Sequence, residues 1–307
     1  MPKISVVMAC YNGMPYLPDS IDSIVNQSFT DWELIVVNDG STDSSADYLQ
    51  KRAEADSRIR VEHQTNQGQQ AAANRGIELA EAELIARMDA DDISALDRLE
   101  KQIAFMDANP EVGILGGQIT RMGRSKSGLP SNLPVAHNEI VTGLLHNHHT
   151  FCNGTCVFRK HLFEEIGGYW KHDIAEDWDM FLRMAEVSRI SNLPDVLLSC
   201  RLHTSSINGR RIVEAQLFNE FAAHLARLRA RGAKEITFEE FHSQHRCQRW
   251  PASWSFYLDS LSIGQYREAV AEIYNGSPMK GYSRLALAMS MSPARTLRRA
   301  LNMFSRK

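Results

Sequence analysis

Two clusters of carboxylates are the residues in this chain best suited to chemistry, and each sits where a regular element begins or ends. Asp89 and Asp91 stand two residues apart in Arg87-Met88-Asp89-Ala90-Asp91-Asp92, at the end of the apolar run Leu84 to Met88. In a tight turn that spacing sets their oxygens around one hard cation, and Mg²⁺ is typically held by one or two carboxylates plus substrate phosphates. The competing use of such a turn is helix capping, here by Asp92 or Ser94 ahead of Leu99. The second cluster, Glu176-Asp177-Trp178-Asp179, opens a helical pattern with Trp178, Phe181, Leu182 and Ala185 on one face. Acids at a helix start suit its dipole. A carboxylate lifted toward neutral pH by neighbouring acids and partial burial would also serve as a general base.

The elements that must position these groups are legible as short apolar runs: Ile4 to Tyr11, Glu33 to Val37, Ile59 to His63, Leu84 to Met88 and Val112 to Ile119. Between them lie apolar residues at helical spacing, such as Leu17, Ile21, Ile24 and Val25, then Leu96, Leu99, Ile103 and Met106. This alternation is a βαβ series and predicts a parallel sheet. Ligands of open parallel sheets bind outside the carboxyl ends of the strands. The residues found there are Asn12-Gly13, Asp39-Gly40-Ser41-Thr42-Asp43, Asn66-Gln67-Gly68 and Asp89-Ala90-Asp91-Asp92, so four loops are expected on one polar edge. The blander roles are a turn at Asp39 before a cap at Ser41 or Thr42, and a left-handed turn residue at Asn66. The edge has neither a G-x-G-x-x-G nor a G-x-x-x-x-G-K-[ST] phosphate loop, so a phosphate ligand here would need a metal.

Beyond residue 120, Met122 to Pro134 has the composition of a mobile surface loop. A helix around Ile140 to Leu145 and strands at Thr155 to Arg159 and Val196 to Leu202 follow, and from Arg211 the pattern is mainly helical. The run His146-Asn147-His148-His149 lacks matching metal partners, while His203, beside Arg201 after a strand, is the better ligand candidate.

With 307 residues, 43% hydrophobic and 23% charged, the composition is globular and excludes disordered or fibrous classes. No apolar run nears the roughly 18 to 20 residues of a membrane span. Ile4 to Ala9 before Cys10 looks superficially like a lipoprotein signal, but falls short of the roughly 7 apolar residues one needs. Five cysteines without a C-x-x-C pair suggest no disulfide framework or zinc knuckle and fit a reducing cytosol, where the sequons at Asn26, Asn153 and Asn275 would go unused. Residues 1–200 hold 17 basic against 29 acidic side chains and residues 201–307 hold 17 against 8, which suggests two functional halves. The tail Arg295, Arg298, Arg299, Arg306 and Lys307, interleaved with Leu297, Leu301, Met303 and Phe304, is either a solvated helix or an anchor on anionic lipid.

Residues 3 to 208 resemble the family 2 glycosyltransferases. Ser5 to Gly13 looks like the family's opening strand and nucleotide loop, Val37 to Asp43 like its second loop, and Asn66-Gln67-Gly68 like its third. Asp89-Ala90-Asp91 resembles its D-x-D metal motif. Gly167-Gly168-Tyr169 with Glu176-Asp177-Trp178-Asp179 and Arg183 is similar to the segment carrying its catalytic base, and Arg201-Leu202-His203 to the Arg-x-His close of bacterial members. The resemblance implies an α/β GT-A fold, with a mostly parallel sheet flanked by helices and a helical C-terminal extension. Its domains would be 1–208, split at about 120 into nucleotide and acceptor halves, and 209–307. It further implies an inverting, Mg²⁺- or Mn²⁺-dependent hexosyltransferase that takes a nucleotide-diphosphate sugar, UDP-sugar favoured, to a glycan or lipid-linked acceptor in bacterial surface polysaccharide synthesis. Asp177 would be the base and Asp91 and His203 the metal ligands. Asn12, Asp39, Asn66, Arg87, Asp89, Glu176 and Arg201 would bind substrate, with Asp39 at the nucleobase. The implied location is cytoplasmic, with contact at the inner face of the plasma membrane if the tail anchors, and no nucleic acid as partner.

Two other readings share parts of this pattern. A sugar nucleotidyltransferase calls for a basic, Gly-rich loop after the first strand, and Asn12-Gly13-Met14-Pro15 has one Gly and no Lys or Arg. A non-catalytic nucleotide-sugar binding module would keep Asp39 and Asp91 but need not keep Asp177.

Overall fold

The computed structural model describes residues 1–124, 127–170, 176–202, 211–248, 250–294 and 296–297, with the side chains of 245–254 left aside. The chain divides into two compact units, Met1–Thr120 with Pro130–Cys200, and Arg121–Leu129 with Arg201–Lys307.

The first unit is built on one sheet. Its strands are β1 (Ile4–Cys10), β2 (Trp32–Asp39), β3 (Ile59–Gln64), β4 (Leu84–Asp89), β5 (Ile93–Ser94), β6 (Val112–Met122), β7 (Val157–Arg159) and β8 (Arg189–Arg201), in the order β3-β2-β1-β4-β7-β6-β8-β5. Strands β3, β2, β1 and β4 are parallel, with Met8 opposite both Val36 and Met88. Strands β1, β2 and β4 are covered on both faces, which explains their apolar runs: Ile4, Val6, Val7, Met8, Leu34 and Val36 are fully buried, whereas the edge strand β3 alternates. The helices are α1 (Leu17–Val25), α2 (Ser45–Ala55), α3 (Gln69–Leu79), α4 (Arg98–Ala108), α5 (His137–Leu145), α6 (Lys160–Glu165) and α7 (Glu176–Val187). Helix α1 buries Leu17, Ile21 and Ile24, the face its spacing predicts. Helix α3 lies so close to the sheet that a Cβ on Gly76 would come within 2.5 Å of Val7 Cγ1, so a larger residue there would push the helix off.

Several expectations are corrected. The fifth apolar run, β6, does not lie beside β4, because β7 inserts between them antiparallel to both. The strand expected at Thr155 to Arg159 starts at Val157, after a 3₁₀ turn at Asn153–Thr155. Strand β8 begins seven residues earlier than its apolar pattern, and β5 was not foreseen. Helix α4 starts at Arg98, past both Asp92 and Ser94 and past Leu96, which is exposed. Helix α2 starts at Ser45, so neither Ser41 nor Thr42 caps it. The left-handed residue is Asn12, at φ 51°, rather than Asn66. Near the stretch expected as a surface loop, Gly128 N donates to Arg121 O at 2.6 Å and Ser131 N to Ile119 O at 2.8 Å, so it doubles back along β6.

The second unit is helical: α8 (Ile212–Arg229), α9 (Phe238–Gln248), α10 (Trp250–Tyr274) and α11 (Pro278–Met291). Phe238 stacks on Phe218 at 4.2 Å and Phe221 meets Phe241 at 5.1 Å, which ties α8 to α9. Helix α11 packs along α10, where Ser262 Oγ meets Ala288 O at 3.1 Å and Thr296 Oγ1 at 2.8 Å. No described helix is long and apolar enough to cross a membrane. His203 and the basic residues Arg295, Arg298, Arg299, Arg306 and Lys307 lie outside the described residues.

Candidate active site

The loops leaving β1, β2 and β3 are stitched together by side chains from the first two. Left-handed Asn12 turns its Oδ1 onto the backbone N–H of Thr42 at 2.7 Å and of Asp43 at 3.3 Å, while its own N–H donates to Ser41 Oγ at 2.9 Å. Asp39, buried at the end of β2, accepts from Gln64 Nε2 at 2.7 Å, Gln67 N at 2.8 Å and Gly68 N at 2.9 Å. Gly40, at φ 72°, leaves no room for a Cβ, which would sit 2.8 Å from Asn66 N. Asn12, Asp39 and Asn66 are therefore gathered on one edge, at the carboxyl ends of parallel strands.

The same edge receives the turn after β4. Asp89 is half-buried there, and burial, followed by the repulsion of Asp91, raises its carboxyl above the usual range against the pull of Arg87 and Arg98. Arg87 Nη2 stands 3.6 Å from Asp89 Oδ1, beneath the surface at 1% exposure, and its Nη1 donates to Val7 O at 3.0 Å. Burial opposes its charge, but Tyr169, Asp89 and Glu176 outweigh that and hold Arg87 above its ordinary range. Arg98 sits deeper still. It donates to Arg87 O at 2.8 Å and Gln102 Oε1 at 2.9 Å, and burial pulls it down to about 10.

Helix α7 brings in the second acidic cluster. Asp177 Oδ1 accepts from Trp178 N at 2.8 Å in the first turn, and Trp178 Nε1 donates to Leu144 O at 3.1 Å, which fixes the helix start against α5. Burial, then the Glu176 carboxylate, then Asp89 push Asp177 up to about 7. Glu176 is raised as well, chiefly by burial, with Gln70 and Arg87 opposing. The two acidic clusters, nearly ninety residues apart in sequence, therefore share one electrostatic environment around Arg87. Chemically, the arrangement pairs a carboxylate able to take a proton near neutral pH with carboxylates suited to a cation.

Tyr169 and Arg183, which the resemblance already groups with the second acidic cluster, and Gly154, which it does not, complete the site. Tyr169 OH donates to Asn153 Oδ1 at 3.1 Å and its backbone N–H to Asn74 Oδ1 at 3.1 Å, while its ring faces Arg87 at 5.9 Å. Arg183 joins Asp179 Oδ2 at 2.6 Å and donates to Gly168 O at 2.8 Å, so α7 also holds the turn carrying Tyr169. A Cβ on Gly154 would lie 2.8 Å from Leu198 Cδ2 and 3.2 Å from Asp89 Oδ2. Of the residues not singled out in the sequence, Arg98 left a signal, a charged residue next to the apolar face of Leu99, Ile103 and Met106; Gly154 left none. Arg201 ends β8 and belongs to the second unit.

Among the described residues no three of His, Cys, Asp and Glu form a ready metal cage. The donor set at β4 is instead two neighbouring carboxylates that repel one another, which fits a Mg²⁺- or Mn²⁺-type ion completed by phosphate oxygens.

A mostly parallel α/β sheet with acidic loops at its carboxyl edge defines the class of fold, and sequence comparison identifies the family. The model of the family described as Glycosyl transferase family 2 matches residues 5–167, and the chain belongs to that family. It is 33% identical over 211 residues to the O-antigen biosynthesis glycosyltransferase WbnJ of Escherichia coli, covering 67% of this chain and 82% of that one. Among solved structures, S. aureus TarS 1-349 in complex with UDP-GlcNAc superposes with a TM-score of 0.62 at 17% identity, covering 99% of this chain and 93% of that one. The mannosyltransferase PcManGT from Pyrobaculum calidifontis, in complex with GDP-Man and Mn²⁺, gives a TM-score of 0.56 at 18% identity, covering 99% and 81%. The fold is GT-A, with its helical C-terminal region as expected.

Proposed function

We propose that the protein transfers a hexose from a nucleotide-diphosphate sugar to a hydroxyl of a glycan or lipid-linked acceptor, with inversion at the anomeric carbon. The observation that carries this reading is the burial of Asp177 beside the Glu176 and Asp89 carboxylates, which lifts it to about 7. At that value its carboxylate accepts the acceptor's hydroxyl proton as the oxygen attacks the anomeric carbon, and the bond from that carbon to the diphosphate breaks in line. Asp91, with Asp89 beside it, would hold Mg²⁺ or Mn²⁺, which when bound offsets the charge growing on the leaving diphosphate. His203 is assigned as a further ligand of metal or diphosphate.

Asn12, Asp39 and Asn66 form the nucleotide side, with Asp39 both shaping the third loop and facing the base. Arg87 serves from beneath by keeping Asp89 ionised, Glu176 raises Asp177, and Arg201 is assigned to the diphosphate. UDP is favoured as the nucleotide because TarS holds UDP-GlcNAc on this fold, and a metal because PcManGT holds Mn²⁺. WbnJ's place in O-antigen biosynthesis supports a role in bacterial surface polysaccharide assembly.

The test is Asp177→Asn. Loss of a general base costs about 10²- to 10⁴-fold in turnover, so transfer should fall by that much while nucleotide affinity stays. Full turnover would remove Asp177 as the base, and loss of nucleotide binding as well would point to a damaged fold.

A further inference from the structure

We propose that Cys152 and Cys200 are a modification site for low-molecular-weight disulfides, which join the two into a reversible disulfide and so disable the carboxylate turn beside them. Both residues belong to the first unit. Cys152 stands just ahead of the 3₁₀ turn Asn153–Thr155, and Cys200 is the last residue but one of β8. Leu198 brings the two segments together, because its Cδ2 lies 2.8 Å from where a Cβ on Gly154 would be. Alternate residues of a strand share a face, so Cys200 leaves β8 on the side that Leu198 presents to this turn. There the Cys200 thiol donates to Cys152 Sγ, a contact that holds Cys152 below the ordinary thiol range and Cys200 well above it. Both thiols also lie in the field of the buried Arg98 guanidinium.

Access and existing partners single out this pair. Among the described cysteines Cys10 and Cys156 are buried, whereas Cys152 and Cys200 are partly exposed. Cys156 is further committed, its Sγ donating to Cys152 O at 3.3 Å. Two accessible thiols in contact suit thiol–disulfide exchange. One of them, as thiolate, attacks a sulfur of the small disulfide and releases one small thiol; the other then attacks the mixed disulfide and releases the second. The protein loses two electrons and two protons, and both pass to the reagent, which leaves as two thiols.

The new bond is about 2.05 Å long, shorter than any noncovalent contact between sulfurs, so it draws the 3₁₀ turn onto β8. Gly154 has no slack to absorb this: the Cβ position that faces Leu198 is also 3.2 Å from Asp89 Oδ2 and 3.7 Å from Asp92 Oδ2. A close-packed interior transmits such strain, so the displacement reaches the Asp89-Ala90-Asp91-Asp92 turn. This effect rests on the reading of that turn as a cation site; the pair itself does not.

The experiment incubates the reduced full chain with glutathione disulfide, caps the remaining thiols and maps the cysteine peptides by mass spectrometry. The expected product links Cys152 to Cys200, retains no glutathione and reverts with dithiothreitol. Cys200→Ser should instead hold glutathione on Cys152, because no second thiol displaces it. Groups that support metal ligands are worth about 10- to 100-fold in metal affinity, so the Mn²⁺ concentration that nucleoside diphosphate binding needs should rise by that much in the oxidised parent and return with dithiothreitol. The double variant Cys152→Ser with Cys200→Ser should not respond. No linkage, glutathione retained on the parent, or Cys152 joined to Cys156 or Cys247 instead would overturn the pair. An unchanged Mn²⁺ requirement in the oxidised parent, or an equal rise in the double variant, would overturn its effect on the turn. The peptide map is read on the parent, so a misfolded variant cannot hide the result, and reduced protein that binds nucleotide without regard to Mn²⁺ would be a failure of the transferase reading alone.

Discussion

Asp39 Oδ2 accepts the backbone N–H of Gly68 at 2.9 Å, while Oδ1 accepts that of Gln67 at 2.8 Å, so one carboxylate at the end of β2 sets the loop that follows β3. Asn in its place would turn an amide N–H₂ toward one of these donors and strand it. Asp39→Asn should therefore cost about 1–3 kcal/mol of stability and weaken nucleoside diphosphate binding, read by chemical denaturation and calorimetry. Unchanged stability would mean that the loop holds itself.

Gly154→Ala tests the packing beneath the turn that follows β4. Its methyl would stand 2.8 Å from Leu198 Cδ2 and 3.2 Å from Asp89 Oδ2, and Leu198 is fully buried with little room to yield. Overpacking of this kind costs about 1–3 kcal/mol. The added methyl should shift Asp89 and reduce metal-dependent nucleotide binding more than metal-free binding; an equal reduction in both would place the effect elsewhere.

Arg98→Met keeps the volume but removes the donors to Arg87 O and Gln102 Oε1, both of which lie in the core. Each buried acceptor left without a donor costs about 1–3 kcal/mol. Relief of a buried charge that burial already pulls down to about 10 offsets part of this, so a net loss of about 1–3 kcal/mol is expected. A variant as stable as the parent would show that the guanidinium contributes nothing net to the fold.

The raised Asp177 has a signed consequence for pH. Its folded value, about 7, lies above the ordinary 3.8, so the folded protein binds the extra proton and this group's stabilisation is present at low pH and lost as pH rises toward 7. Asp177→Asn, which mimics the protonated form, should melt higher than the parent at pH 8 and match it near pH 4. For the reaction the sign is opposite, because the base must be ionised: turnover should rise with pH and level off above about 7. A midpoint difference that does not change with pH would show that Asp177 titrates normally.

Much of this was legible from the chain. Strands β1, β2 and β4 are covered on both sides and therefore print as apolar runs, β3 at the sheet edge alternates, and the polar residues after each strand mark the edge where Asn12, Asp39, Asn66 and Asp89 gather. Strand β8 was read short because Asn192 and Pro194 interrupt its pattern; Asn192 is fully buried, its amide donating to Pro134 O at 2.7 Å and Thr150 O at 2.9 Å. Strand β5 has two residues, too few for any periodicity. Gly154 owes its role to Leu198 and Asp89, far along the chain, and no local pattern encodes such partners; Tyr169 stands in a segment the resemblance picks out, but its contact with Asn74 is equally remote.

The most direct measurement is thermal stabilisation of the protein by UDP, GDP, dTDP and CMP, each with and without Mn²⁺, in the parent and in Asp91→Ala. A ligand at about 100 times its dissociation constant contributes about 2.7 kcal/mol. The expected result is a shift by one nucleoside diphosphate that needs Mn²⁺ and is lost in Asp91→Ala. A shift indifferent to the metal and to Asp91, or none with any nucleotide, would contradict a metal-dependent nucleotide-sugar site at the end of β4.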